Sequence, residues 1–439
     1  VVAAEPDVLT ALTEYYGLRH SVKRAERDLT RDIDLGNLEQ LVKMKTGREI
    51  ESSDQHIVNA VEYMLQHAYD TRASDIHIEP KRETALIRYR IDGVLHDIQT
   101  MPTVVHRAVV NRIKNMARLD IAEKRRPQDG RVKTRREERE VELRVSTLPV
   151  AFGEKVVMRI FDPELLMRDL ASLGFFPDEE ARFREFIAEP NGLILVTGPT
   201  GAGKTTTLYS ALKAITTPEQ NVTTIEDPIE MVYELFNQTA VNPKIGVTFA
   251  AALRHILRQD PDVIMVGEVR DSETAQYAIQ AALTGHLVLS TMHTNDAPAA
   301  VTRLRDLGIE PYLIASTLLG SMAQRLVRTI CPACATERVL SRDEIRALRL
   351  SVPEDRGLKV KEGEGCVECR GTGYRGRTGI FEVLQVSDVV KGMVMKGSGA
   401  AEIKRVAMEA GMRSLRQGAL HKLASGITTF EEVLRVTGI

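Results

Sequence analysis

The sequence predicts an α/β protein in which a parallel-sheet domain follows a smaller α+β domain, and three observations carry that reading. Four short apolar runs, at 193–196, 222–225, 263–266 and 287–289, are separated by helix-compatible sequence, the pattern of a parallel sheet buried on both faces. Polar residues gather immediately after those runs, where an open α/β sheet binds its ligands. Ahead of them, helical spacing gives way to the two-residue alternation of half-buried strands.

In chain order, residues 1–53 mix short helical patterns with charge, as at 23–31, and read as the tail of an N-terminal domain plus a linker. The chain opens Val1-Val2 without Met, so a longer protein with a further domain upstream is expected. The smaller domain spans 54–163. It starts on a helical spacing (Ile57, Val61, Leu65, Ala68) and continues into strand-like 74–79 and 86–90, with Asp92-Gly93 and Asp129-Gly130 read as hairpin turns. At 141–145 the alternation sets Arg144 opposite Val141, Leu143 and Val145. A linker at 164–175 leads to the larger domain at 176–439, with 173–190 read as its leading helix. A Gly- and Cys-rich insert occupies 328–379, and helices are expected over 385–439.

Composition bounds the function. The 439 residues exceed what one core usually serves, and a 43% hydrophobic share supports packed cores. Aromatic content of 5% with no Trp argues against stacking platforms for single-stranded nucleic acid, and a net charge of −2 offers no basic field for DNA. Neither a bilayer-length apolar stretch nor a signal peptide is present, so a soluble, cytoplasmic protein is expected. Four cysteines are too few for a secreted disulfide scaffold; their pairing favours a metal site in a reducing compartment.

Gly198-Pro199-Thr200-Gly201-Ala202-Gly203-Lys204-Thr205 matches G-x-x-x-x-G-K-[ST] between a strand-like run and a helical one, the context this phosphate-binding motif requires. The glycines let successive N–H groups converge on one anion, and the helix adds its positive end. Lys204 is placed for the β- and γ-phosphates of ATP, Thr205 for Mg²⁺, and Thr206 follows in the same turn. Glu226-Asp227-Pro228-Ile229-Glu230 comes directly after the second run. Three carboxylates there can share the work of readying water and holding a hydrated metal, or form a solvated acidic loop. The third run ends in Gly267-Glu268, with Gly where Asp ordinarily holds magnesium, so Glu268 acts through a metal-bound water or as the base itself. His286 and His293 flank the fourth run. A His beside a strand end is more often structural, and His293, just past the end, is the candidate γ-phosphate sensor.

Cys331-Pro-Ala-Cys334 and Cys366-Val-Glu-Cys369 supply four thiolates for a closed tetrahedral Zn²⁺ site, with a redox dithiol or an iron–sulfur cluster as the competing readings.

Together these residues resemble the secretion ATPase family, in the branch that drives type IV pilus assembly and type II secretion. The resemblance is carried by Ala73-Ser74-Asp75-Ile76-His77-Ile78-Glu79-Pro80, Arg90-Ile91-Asp92-Gly93-Val94, Pro127-Gln128-Asp129-Gly130-Arg131 and Arg144-Val145-Ser146-Thr147-Leu148-Pro149. The phosphate loop, the acidic box 226–230, Gly267-Glu268 and the stretch from Thr284-Gly285-His286 to His293 complete it. Tyr15-Tyr16-Gly17 is similar to the end of the family's truncated N-terminal domain. The resemblance implies a homohexamer whose subunits pair a PAS-like N2 domain with a RecA-like ATPase domain. It makes Glu230 the base for water and Glu268 the Walker B acid, and gives Arg144 and Arg159, otherwise ordinary strand arginines, the task of reaching bound nucleotide. Arg254 and Arg258 are implied as contacts to a neighbouring subunit. It also implies an inner-membrane platform protein as partner, peripheral membrane association through that partner, and work at the cytoplasmic face of the inner membrane. The zinc insert argues against the retraction motors of the superfamily. Pilus assembly is the main reading and type II secretion the alternative. A RecA-like nucleic-acid motor would rest on Lys124-Arg125-Arg126 and Arg135-Arg136, which also suit hairpin edges, and no nucleic-acid partner is expected. A zinc-stabilised scaffold without turnover is the remaining reading.

Overall fold

The computed structural model describes residues 54–136, 139–161, 166–351, 353 and 357–438. The expected N-terminal tail, with 23–31 and Tyr15-Tyr16-Gly17, lies outside the described residues. The chain divides into two compact units, Val1–Asp162 and Pro163–Ile439.

The first unit opens with α1 (Gln55–Asp70), followed by β1 (Ala73–Pro80), β2 (Thr84–Ile91), β3 (Val94–Pro102), α2 (Thr103–Met116), β4 (Gln128–Arg136), β5 (Arg139–Val150) and β6 (Gly153–Phe161). The strands form one sheet in the order β3-β2-β1-β6-β5-β4. The apolar stripe of α1, read from its four-residue spacing, packs with Ile76, Ile78 and Ile87 of the sheet in a core that α2 completes. Asp92 and Gly93, with φ of 49° and 89°, make the tight turn between β2 and β3 that their sequence predicts.

Asp129-Gly130 is no turn: both lie inside β4, paired with Ser146 and Val145 of β5. The glycine serves close approach, since a Cβ there would sit 2.7 Å from Ala117 O and 2.8 Å from a Leu119 methyl.

The second unit runs through α3 (Pro177–Ala188), β7 (Gly192–Thr197), α4 (Lys204–Ile215), β8 (Val222–Glu226), β9 (Phe236–Ala240), α5 (Phe249–Ile256), β10 (Val263–Val266), α6 (Ser272–Leu283), β11 (Leu287–Met292), α7 (Pro298–Asp306), α8 (Pro311–Thr317) and β12 (Leu318–Ile330). A two-stranded ribbon, β13 (Ala335–Val339) with β14 (Lys359–Gly363), brackets α9 (Arg342–Ala347). Then come β15 (Tyr374–Gln385), α10 (Asp388–Met395), α11 (Ala400–Glu409), α12 (Leu415–Ala424) and α13 (Phe430–Thr437). The sheet order is β15-β12-β7-β11-β10-β8-β9. The four apolar runs are its parallel centre, and every residue of β7, β8, β10 and β11 is buried. Side chains of α3 and α4 enter one core cluster, those of α5, α6, α7 and α11 the other.

Three strands escape the apolar-run signature. β12 carries buried Ser321 and Gln324, which interrupt its apolar pattern. β15 begins in the Gly- and Arg-rich stretch read as insert, yet pairs antiparallel with β12 from Tyr374 to Gln385. β9 is a short edge strand with only Phe236 buried. The leading helix starts later than its sequence suggests, at Pro177, after a separate single turn at Leu170–Leu173.

A buried polar cluster ties α2 to β6. His106 hydrogen-bonds through Nε2 to Glu154 O at 3.1 Å, while Lys114 pairs with Glu154 and donates to Glu123 O at 2.8 Å. Burial pulls the His106 pKa down to about 4, against the opposing pull of that carbonyl. An unfolded His titrates near 6.5, so between the two values the unfolded chain binds more protons and stability falls as pH drops. Denaturant unfolding of the full chain is expected to lose up to about 3 kcal/mol between pH 7 and pH 4 from this group, and His106→Gln to flatten that part of the slope.

Candidate functional site

The larger unit places its polar residues at the carboxyl edge of its parallel strands. β7 ends at Thr197, and residues 198–203 curl into α4 with Gly198, Gly201 and Gly203 at φ of 150°, 79° and 89°. A Cβ on Gly198 would meet Gln324 O at 2.6 Å, so β12 closes under the loop. Gln324 also accepts from Thr207 of α4 at 2.8 Å, fixing the helix start. Ala202 is buried within the loop, Thr200 and Gly201 are exposed, and Thr205 and Thr206 are half-buried on the first turn. Lys204 Nζ donates to Gly198 O at 2.8 Å and Pro199 O at 3.2 Å; burial lowers its pKa, and Glu268 partly restores it.

Glu268 follows β10 beside that lysine. Its carboxylate pairs with Arg270 and lies 3.6 Å from His293 Nε2. Burial lowers the His293 pKa, Lys204 and Arg270 push the same way, and Glu268 opposes them. Gly267 stands where an ordinary Walker B strand has Asp, at the end of the paired strands β8 and β10. Its N–H donates to Ile225 O at 2.8 Å, and a Cβ would sit 3.1 Å from that oxygen. Exposed Asp227 adds its field to Arg270, whose pKa is raised, first by the hydrogen bond to Glu268.

The structure thus brings Lys204, Glu268 and His293 together, with Asp227 at the rim. Glu230 sits half-buried on the loop after β8. Two expected residues lie elsewhere in the same unit. Glu226 turns inward, hydrogen-bonded to Tyr209, Thr224 and Gln238. His286 precedes β11, at the opposite sheet edge from His293, where its Nδ1 lies 2.9 Å from Ala281 O. Arg144 and Arg159 belong to the first unit, directly opposite each other on β5 and β6. Arg144 stacks 4.2 Å over the Phe161 ring, and Arg159 donates to Asp75 at 3.0 Å. Arg258, just past α5, folds back onto Arg254 O and His255 of that helix.

Sequence reading missed Arg270, Tyr209, Gln238, Gln324 and Arg325. Arg270 alone carried a signal, a cation two positions past a catalytic-type Glu. Arg325 donates to Asn295 O at 3.2 Å, bridging the phosphate-loop side to the segment after His293.

The four cysteines gather at the base of the insert, Cys331 and Cys334 after β12, Cys366 and Cys369 before β15. All four sulfurs lie within 4.8 Å of one another. The distances are 3.8 Å for Cys331–Cys366 and 3.7 Å for Cys334–Cys369 and Cys366–Cys369. A tetrahedron with metal–sulfur bonds of about 2.3 Å has edges of about 3.8 Å, so the donor set fits a tetrahedral metal ion such as zinc. Burial opposes ionisation of Cys369, but N–H donors from Cys366 and Gly373 prevail and bring it to about 6.

Residues 50–435 match the family described as type II/IV secretion system protein. The chain is 48% identical to the type IV pilus assembly ATPase TfpB of Acinetobacter baylyi, over 99% of this chain and 75% of that protein. It is 46% identical to the type II secretion system protein E of Dickeya dadantii, over 94% of this chain and 82% of that one. The crystal structure of the Legionella pneumophila ATPase DotB shares the fold, with a TM-score of 0.65 at 23% identity, over 86% of this chain and 95% of that one.

Gly198→Ala is expected to destabilise the chain by about 1–3 kcal/mol, because it forces an alanine to φ 150° and into Gln324 O; the unfolding midpoint checks it.

Proposed function

The chain belongs to the type II/IV secretion system protein family and is an ATPase, and from that premise we propose that it is the motor of a type IV pilus assembly machine. In this reading it is a homohexamer that hydrolyses Mg·ATP at the cytoplasmic face of the inner membrane and acts on a membrane-embedded platform protein. Among the described residues no helix is long and apolar enough to cross a membrane, so membrane contact would come through that partner. The observation that carries the reading is the phosphate loop with Lys204 faced by Glu268 and His293.

The loop N–H groups and Lys204 hold the β- and γ-phosphates, and the half-buried Thr205 hydroxyl would hold magnesium, which neutralises charge on the phosphate oxygens when bound. Glu230 takes the proton of the attacking water. Glu268 is the Walker B acid, acting through a metal-bound water, and His293, 3.6 Å from its carboxylate, is the group that senses loss of the γ-phosphate. Arg144 and Arg159 are proposed as cations that answer the charge of bound nucleotide. In the insert the four cysteines would hold Zn²⁺, a structural ion here, since four thiolates leave no open position.

Similarity to the Dickeya protein at 46% identity supports a second reading, type II secretion. Complementation separates the two: restored piliation in a strain lacking its assembly ATPase supports the first, and restored secretion without piliation replaces it. Glu230→Gln is expected to keep Mg·ATP affinity within about twofold and lose at least 100-fold in turnover, whereas Lys204→Ala loses both. Full hydrolysis in the Glu230 variant would remove that residue from the base role. Freshly reduced protein is expected to contain about one zinc per chain, and Cys366→Ser to lose it with a lowered unfolding midpoint; iron in its place would overturn the assignment.

A further inference from the structure

Glu226 ends β8 with its carboxylate out of water, the residue being 3% exposed. Its acceptor sites face protein donors. Tyr209 Oη donates to Oε2 at 2.7 Å, while Thr224 Oγ1 and Gln238 Nε2 donate to Oε1 at 2.8 and 3.0 Å. The Glu230 N–H points at Oε2 from 3.5 Å. A carboxylate offers about four lone-pair sites, so nothing is left here for magnesium or phosphate.

The same groups grip the chain just beyond Glu230. Gln238 Nε2 donates to Met231 O at 2.9 Å, and Gln238 Oε1 accepts from the Tyr233 N–H at 2.7 Å. Tyr209 Oη also lies 3.2 Å from Met231 O and 3.1 Å from Gln238 Nε2, whose two N–H bonds are taken by Glu226 and Met231. Tyr209 is fully buried in α4, the helix that Lys204 starts, and burial raises its pKa, so it stays a donor. One hydrogen-bonded cluster therefore joins the phosphate-loop helix, the end of β8 and edge strand β9, and the segment it clamps carries Glu230.

We propose that Glu226 is a positioning residue for the hydrolytic step, and that Tyr209, Glu226 and Gln238 together set Glu230 against the phosphate site. The proposal rests on Glu230 as the base. The Tyr209–Glu226 bond and the Glu226–Glu230 N–H contact link α4 to Glu230, in a buried setting where a half-satisfied network is costly. Glu226 thus differs in kind from Asp227 and Glu268, which face the crevice.

The test uses the full chain and Mg·ATP. Glu226→Gln keeps the shape but turns one acceptor into a donor, against donors already in place. It is expected to lower kcat at least about tenfold while KM and the calorimetric Kd for Mg·ATP stay within about twofold. Tyr209→Phe is expected to lower kcat about threefold or more, and the double variant to be no worse than Glu226→Gln alone, the non-additivity of one shared network. Gln238→Ala provides the same readout from the β9 side should Glu226→Gln fold poorly. An unchanged kcat in the folded variants, or a loss of Mg·ATP affinity in step with kcat, overturns the proposal, the latter by making Glu226 a ligand. Glu230→Gln runs alongside. If it keeps full turnover, the base assignment fails; if it loses turnover while Glu226→Gln, Tyr209→Phe and Gln238→Ala do not, the positioning claim alone fails.

Discussion

Parallel pairing of β7, β11, β10 and β8 constrains the larger unit more than any single contact. Parallel strands deliver all their carboxyl ends to one edge, so four crossings of the core bring the phosphate loop, the acidic loop, Glu268 and His293 to one crevice. The register is tight enough to choose residues. At Gly267 a Cβ would come within 3.1 Å of Ile225 O, and at Gly198 one would sit 2.6 Å from Gln324 O. The loop is thereby fixed from the sheet side, and its anion-binding N–H groups need no reorganisation to act.

Behind the crevice a second layer of polar ties joins the His293 segment to the C-terminal helices. Asp296, three residues past His293, pairs with Lys404 of α11 at 3.0 Å. Lys404 also pairs at 3.0 Å with Glu382, a completely buried carboxylate that accepts from Ala297 and Leu415 N–H groups. A buried acid with this many partners fixes geometry more than it adds stability, since ion pairs of this kind roughly balance their desolvation. The C-terminal helices are therefore part of the frame of the nucleotide edge. The insert is anchored in the same way: Glu432 of α13, with no exposed surface, takes the Arg328 guanidinium at 2.8 Å next to the strand end from which Cys331 departs.

Legibility in the sequence followed the locality of each signal. The phosphate loop and the cysteine pairs were readable because their chemistry is set by residues adjacent in the chain, and the four central strands because burial on both faces leaves uniform apolar runs. Asp129-Gly130 misled because an Asp-Gly pair signals a turn only when nothing else demands a missing side chain; here Ala117 and Leu119 do, from twelve or so residues away. β12 and β15 were hidden by Ser321, Gln324 and Glu382, polar residues whose partners lie far along the chain. His286 and His293 were told apart by their places before and after the fourth run, and the six-residue strand between them puts them at opposite edges of the sheet.

Glu226 shows why a cluster of like residues cannot be apportioned from spacing alone. By spacing alone it is one of three carboxylates at a strand end, and only the family resemblance sets Glu230 apart from it. Strand alternation turns it toward α4, where Tyr209 waits, and the loop that follows is free to bring Glu230 back toward the crevice. Removing a charge from water is tolerable only where donors replace the hydration shell, so an inward carboxylate in this position must be saturated by the protein. A saturated carboxylate is a poor metal ligand and a poor base, but a good fixed point. In the proposed mechanism the proton transfer is therefore assigned to Glu230, four residues on, and Glu226 to holding it in place.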